Sequence, residues 1–172
     1  SYNNKYGVPL SLLNLNLNNN YGIFEIGMDK KGEINFLSKL IKPDIGIITN
    51  ISYAHAKNFE NIMGIALAKS EIIHNTQANG HVILNADDRF FKFHQKIAFK
   101  KNLNVISFGI KNLKSHVKFI KIKKNVKNFQ ITIEMNNLRK NFTVLNNFQS
   151  NIYNILSALA IISVYVDIFQ LD

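Results

Sequence analysis

The chain has 172 residues, room for about one domain, and its 47% hydrophobic and 19% charged residues exclude a disordered polymer. The formal charge is +10, from 21 Lys+Arg against 11 Asp+Glu, yet arginine occurs only at Arg89 and Arg139. There is no cysteine, which excludes disulfides, zinc–thiolate sites and thiol catalysis; no apolar run approaches the roughly 18–20 residues of a membrane span, and residues 1–5 carry no apolar leader.

The Asn-rich turn 18–20 precedes an apolar run, Ile23-Phe24-Glu25-Ile26, that predicts a buried strand ended by Gly27. Ile34, Leu37, Leu40 and Ile41 have helical spacing, and Pro43 stops that helix. Residues 45–48 predict a second strand, 62–73 a helix broken at Gly80, and 81–84 a third strand. Asp87-Asp88 suit the cap of a helix reaching Phe99, and 105–109 predict a fourth strand. Continuous apolar strands separated by helices imply an α/β fold: a mostly parallel sheet flanked by helices. Ligand groups in such folds gather at the carboxyl ends of strands, here 25–27, 50–55, 85–88 and 107–109.

The pattern changes after residue 115. Residues 116–122, 128–135 and 138–145 alternate with a period of two, and Asn136-Asn137 suits a tight hairpin. Residues 116–145 are therefore expected to form a small antiparallel β subsheet beside the parallel one. The basic density peaks here, at Lys118, Lys121, Lys123 and Lys124. Alternation of that kind gives a strand with one wet lysine face. Readers of nucleic acid lean on the bidentate fork of arginine, so neither a nucleic acid nor a membrane is expected as a partner. Residues 151–169 predict a final helix, apolar nearly all round and packed on the sheet.

Several residues carry chemistry. Glu25 is a carboxylate in an apolar strand, which calls for an ion pair, a cap or a bound cation. His55 follows the second strand, either as a hydrogen-bonded structural group or as a ligand. Lys69 lies mid-helix, where lysine is ordinarily solvated, and Glu71 reads as nearby surface charge. Asn151 and Asn154 share one face at the start of the last helix, as caps or as amides reading a purine edge.

Taken in order, these residues form a series. It runs through Lys5-Tyr6-Gly7-Val8-Pro9-Leu10-Ser11-Leu12-Leu13, Glu25-Ile26-Gly27-Met28 with Gly32-Glu33-Ile34, and Pro43-Asp44-Ile45-Gly46-Ile47-Ile48-Thr49-Asn50-Ile51. It continues through Ala54-His55, Ile65-Ala66-Leu67-Ala68-Lys69-Ser70-Glu71-Ile72 and Leu84-Asn85-Ala86-Asp87-Asp88. The series resembles the central, ATP-binding domain of the Mur ligases of peptidoglycan synthesis, over nearly the whole chain. The Asn3-Asn4-x-x-Gly7-Val8-Pro9 opening and the stretch from Glu25 to Ile34 favour the member that adds D-Ala-D-Ala to UDP-MurNAc-tripeptide.

The resemblance implies an enzyme that joins a carboxylate to an amine with ATP, through an acyl phosphate, in the cytoplasm. It implies Glu25 and His55 as Mg²⁺ ligands. Lys69 matches a lysine that relatives carbamylate, giving an anion that binds a second Mg²⁺. It places Asn4 near the phosphates, and Asn151 and Asn154 near the adenine, although Phe148-Gln149-Ser150 departs from the family's Gly-x-His at that point. Asn50 and Asp87 match more loosely, as loop-shaping residues. A folylpolyglutamate-type ligase, another Mur member and a non-catalytic module keeping the fold are the alternatives.

The Gly-rich loop ending Gly-Lys-Thr that cradles phosphates in this family does not occur in the 172 residues. The resemblance therefore implies residues 1–172 as a central domain incomplete at its N-terminus. It also implies a fragment without the flanking substrate domains, inactive alone, which agrees with a sequence that does not open on Met.

Overall fold

In the computed structural model, residues 2–53 and 58–170 are described. Six strands form one sheet in the order in which they occur: β1 (Ile45–Ile48), β2 (His81–Asn85), β3 (Asn104–Gly109), β4 (Val117–Lys124), β5 (Phe129–Met135) and β6 (Leu138–Val144). The first four are parallel neighbours, and β4–β5–β6 is an antiparallel meander. The fold class expected from the sequence is the one observed, with the antiparallel part hydrogen-bonded continuously into the parallel part. The join is two residues long, Phe108↔Val117 and Gly109↔Lys118. Because β4 begins where β3 ends, the chain turns from one to the other without the long crossover that fully overlapped parallel strands require.

The helices are α1 (Gly7–Leu13), α2 (Glu33–Ile41), α3 (Ile62–Asn75), α4 (Phe91–Lys100) and α5 (Gln149–Ile162), with a closing 3₁₀ turn at Ile168–Gln170. The sheet is covered on both faces, as its apolar strands require. Within β2, Ile83 joins α5 residues Ile152, Leu156 and Ala160 on one side. Its neighbours Val82 and Leu84 join Ile73, Phe91 and Ala98 on the other. Across β4–β6, Glu134 pairs with Lys118 at 2.8 Å and with Arg139 at 2.7 Å, a charged stripe set by strand register.

Three local expectations are corrected. Residues 23–26 are not a strand: they pair with no ladder, and Ile23 is 97% exposed. A cavity lies between this segment and the edge strand β1, and the segment adds no strand to the sheet. The last helix ends at Ile162, not 169; a turn at Ser163–Tyr165 closes it, with Val164 and Tyr165 amides bonding to Ile161 and Ile162. Asp87 and Asp88 do not cap α4, whose preceding residue is Phe90 and carries no side-chain cap.

Two glycines of the sequence series have steric reasons. A Cβ on Gly7 would collide with the Tyr2 backbone. Gly32 precedes α2 at φ +93°, a conformation that strains any side chain.

Candidate functional site

A cavity of about 850 Å³ opens beside β1. Its walls come from the N-terminal segment, residues 24–29, the α2 face, the end of β1 and Lys69 of α3. Asn4, Glu25 and Lys69, far apart in sequence, line this one space.

Glu25 is exposed, not buried as the strand reading required, and its Oε1 accepts from Asn3 Nδ2 at 2.9 Å. The amide of Gly27 donates to the Asn3 carbonyl at 2.7 Å, so the N-terminal segment and residues 25–27 are stitched together at the cavity wall. Asn4 Oδ1 accepts from the Tyr6 and Gly7 amides at 3.0 and 2.9 Å, closing the turn that launches α1. His55 lies outside the described residues.

Lys69 is half-buried on α3, and its Nζ donates to the Asn50 carbonyl at 2.9 Å. Burial pushes its pKa down; Asp88 opposes this but does not cancel it. A lysine with a lowered pKa yields the neutral amine more readily, and only that form is a nucleophile.

Residues beyond the sequence reading build the frame. Glu71 is not surface charge: its carboxylate accepts from the Gly32 and Asn35 amides at 2.9 Å each, capping α2 from α3. Glu33 Oε2 holds the Asp29 and Lys30 amides at 2.6 and 2.9 Å. His94 is buried, its Nε2 3.0 Å from the Ala66 carbonyl. The spacing Phe91–His94–Ala98, one stripe of α4, was the signal for it.

Asp87, at the end of β2, gathers four donors. Ile110 and Lys111 amides and the Tyr153 hydroxyl reach Oδ2 at 2.6, 2.9 and 2.8 Å, and the Asn112 amide reaches Oδ1 at 2.7 Å. Partial burial pushes this carboxyl up, but the four hydrogen bonds outweigh it and hold the pKa below the usual carboxylate value. Asn151 and Asn154 lie on either side of Tyr153 in α5 and do not line the cavity beside β1. Asn151 Nδ2 donates to Asn146 Oδ1 at 2.7 Å, and the Asn154 side chain lies on an exposed residue.

Residues 1–162 match the family model described as the Mur ligase middle domain. This chain belongs to that family. Among relatives of this Mur ligase domain, the UDP-N-acetylmuramoyl-tripeptide--D-alanyl-D-alanine ligase of Buchnera aphidicola subsp. Acyrthosiphon pisum is 41% identical over 112 residues, 65% of this chain and 24% of the relative. The ligase of the same name from Haemophilus influenzae is 36% identical over 96 residues, 56% of this chain and 21% of the relative. The chain thus spans about a quarter of the length of the curated relatives it matches. The crystal structure of MurF from Acinetobacter baumannii superposes with a TM-score of 0.88 at 26% identity, over 98% of this chain and 36% of that one. MurF from Thermotoga maritima, solved in complex with ADP, shares the fold with a TM-score of 0.79 at 23% identity, over 97% of this chain and 39% of that one. Among the described residues, no helix is long and apolar enough to cross a membrane.

Proposed function

We propose that this Mur ligase domain is the central part of a cytoplasmic, ATP-dependent ligase that joins D-Ala-D-Ala to UDP-MurNAc-tripeptide. The observation that carries the reading is the convergence of Asn4, Glu25 and a half-buried Lys69 on one cavity at the carboxyl end of β1. Names of relatives support the substrate pair.

The donor set suits Mg²⁺, which prefers hard oxygen ligands. Glu25 supplies a carboxylate at the cavity wall, and His55 would join it. Mg²⁺ would neutralise charge on the phosphates of ATP. Among the described residues no group of three acidic or imidazole side chains forms a complete metal site. Asp29 and Glu33 also line the cavity; on this reading the second oxygen anion comes from Lys69 itself. Its neutral Nζ attacks the carbon of CO₂, an N–C bond forms, an electron pair moves to oxygen and one amine proton leaves to solvent. With the proton already lost from the ammonium to give that amine, two protons leave in all, and the side chain changes from +1 to −1 and becomes an oxygen donor. Asn4, with Oδ1 occupied by the α1 turn, presents its amide Nδ2 as a phosphate donor. Asn151 and Asn154 serve the adenine from α5, at a subsite distinct from the cavity beside β1.

The test uses the protein at its full encoded length, with UDP-MurNAc-tripeptide, D-Ala-D-Ala and ATP. Product with release of ADP and phosphate is expected, abolished in Lys69→Ala and Glu25→Ala. The isolated 172-residue chain should be inactive. Turnover of a folate and glutamate in place of the two named substrates would overturn the assignment.

A further inference from the structure

A single peptide unit connects Lys69 to Asp88. Its carbonyl, on Asn50, accepts from Lys69 Nζ at 2.9 Å, and its N–H, on Ile51, donates to Asp88 Oδ2 at 2.7 Å. A trans peptide points these two groups in opposite directions, so the unit lies between the lysine and the carboxylate like a spacer. Both ends of the arrangement are fixed. Asp88 Oδ1 accepts from the Phe90 amide at 2.8 Å, which sets the carboxylate plane. Asn85 Nδ2 donates to the Thr49 carbonyl at 3.1 Å, fastening the residue before the peptide from the same strand end. Hydrogen bonds in such a chain polarise one another, so a carboxylate on the N–H strengthens the carbonyl as an acceptor.

We propose that Asp88 is a positioning residue for Lys69, acting through the Asn50–Ile51 peptide. The inference rests on the reading of Lys69 as a reactive lysine. The arrangement serves that reaction before and after it occurs. The unmodified Nζ is held at the cavity by the Asn50 carbonyl. A carbamate keeps one N–H, and that hydrogen can stay on the same carbonyl, which fixes the plane of the new group. Asp88 touches no reacting atom; its contribution is where the carbonyl stands.

The experiment compares wild type, Asp88→Ala, Asp88→Asn and Lys69→Ala in the full-length protein. It reads kcat, KM for ATP and, by ¹³C NMR with labelled bicarbonate, the carbamate signal. Asp88→Ala should lower kcat by about 10- to 100-fold, the usual effect of losing an outer hydrogen-bond partner, and lower the carbamate signal at equal bicarbonate. Asp88→Asn keeps one acceptor oxygen for the two amides of Ile51 and Phe90, so both readings should fall between those of Asp88→Ala and wild type. Should Asp88→Ala not fold, Asp88→Ser, whose shorter hydroxyl falls short of Ile51, takes its place. Wild-type kcat and carbamate signal in Asp88→Ala overturn the proposal, as does complete loss of both in a folded Asp88→Asn. An active Lys69→Ala overturns the reading of Lys69 and the positioning role together. An inactive Lys69→Ala beside an unaffected Asp88→Ala removes the positioning role alone.

Discussion

The Tyr153 hydroxyl donates to Asp87 Oδ2 at 2.8 Å, joining the middle of α5 to the end of β2 across 66 residues of sequence. Burial, with the Asp87 hydrogen bond and charge adding to it, pushes the Tyr153 pKa up to about 12, so the hydroxyl stays a donor throughout the ordinary pH range. The same carboxylate holds the 110–112 amides. One side chain therefore ties together β2, the β3–β4 turn and α5. Tyr153→Phe keeps the ring that packs edge-on to Phe108 and should cost about 1 kcal/mol, the net worth of a partly solvated hydrogen bond. Asp87→Asn should cost more, about 2–3 kcal/mol, because an amide nitrogen must then face at least one backbone N–H. Urea unfolding of the two variants tests the ranking. Equal losses would mean that the 110–112 amides contribute nothing.

Stability should fall on acidification in two steps. Burial pushes His94 and His116 below the usual imidazole value of 6.5, against a weaker pull upward at His94 from Ala66 and Asp88. His116 Nδ1 also accepts from the Ser107 amide at 3.0 Å, so protonating it would set one N–H against another. Below pH 6.5 the unfolded chain binds protons that the folded chain refuses. Stability then drops as pH falls from 6.5 toward the depressed folded values. Asp87 adds a second loss: its lowered pKa contributes stability above the unfolded value near 3.8, lost as pH falls below it. A His94→Gln, His116→Asn double variant keeps a donor for Ala66 and an acceptor for Ser107. Thermal unfolding from pH 7 to 5 should be flatter in that variant than in wild type; an unchanged slope refutes the assignment.

What could be read from the sequence was local. The apolar runs at Ile45–Ile48 and His81–Asn85 announce parallel strands because both faces of such strands are covered. Lys69 and Asn4 stood out through their place in an ordered series, and they do line one cavity. Residues 23–26 misled because an apolar run specifies burial capacity, whereas a strand needs a partner that sequence does not name. Asp87, Asp88 and Glu71 misled for a related reason. Aspartates before a helix usually cap it, and an exposed-looking glutamate is usually solvated. Here the donors of Asp87 sit at Ile110–Asn112 and those of Glu71 at Gly32 and Asn35, positions no local pattern connects to them, and Asp88 divides its oxygens between the nearby Phe90 amide and the distant Ile51 amide.

The β5–β6 turn tests the backbone argument. Asn136 and Asn137 have φ of 51° and 62°, between the paired residues Met135 and Leu138. Two left-handed residues in a two-residue loop match the twist of the flanking strands, and asparagine tolerates them. Asn137→Val should destabilise by about 1–2 kcal/mol, the cost of forcing a branched residue into that region. Asn137→Gly should leave stability within about 0.5 kcal/mol or raise it, since Asn-Gly is the preferred pair for this turn. A tolerated valine in chemical denaturation would mean that the turn can change type without cost.

Glu71 ranks above Glu33 as a support of the cavity wall formed by α2. Glu33 accepts from the Asp29 and Lys30 amides in an exposed turn, and those hydrogen bonds lower its pKa. Water can replace such an acceptor, so Glu33→Ala should cost well under 1 kcal/mol. Glu71 is partly buried between two helices and meets the Gly32 and Asn35 amides, donors at the start of α2 that have no partner within the helix. Removing that acceptor in Glu71→Ala should cost about 1–2 kcal/mol, as at other helix N-termini. Glu71→Gln, which keeps one oxygen, should fall between. Because Ile34 and Leu37 of α2 line the cavity with Lys69, hydrogen exchange at α2 amides should accelerate in Glu71→Ala before global unfolding does. Protection unchanged at residues 33–37 would show that α2 is held by its packing on α3 and not by this carboxylate.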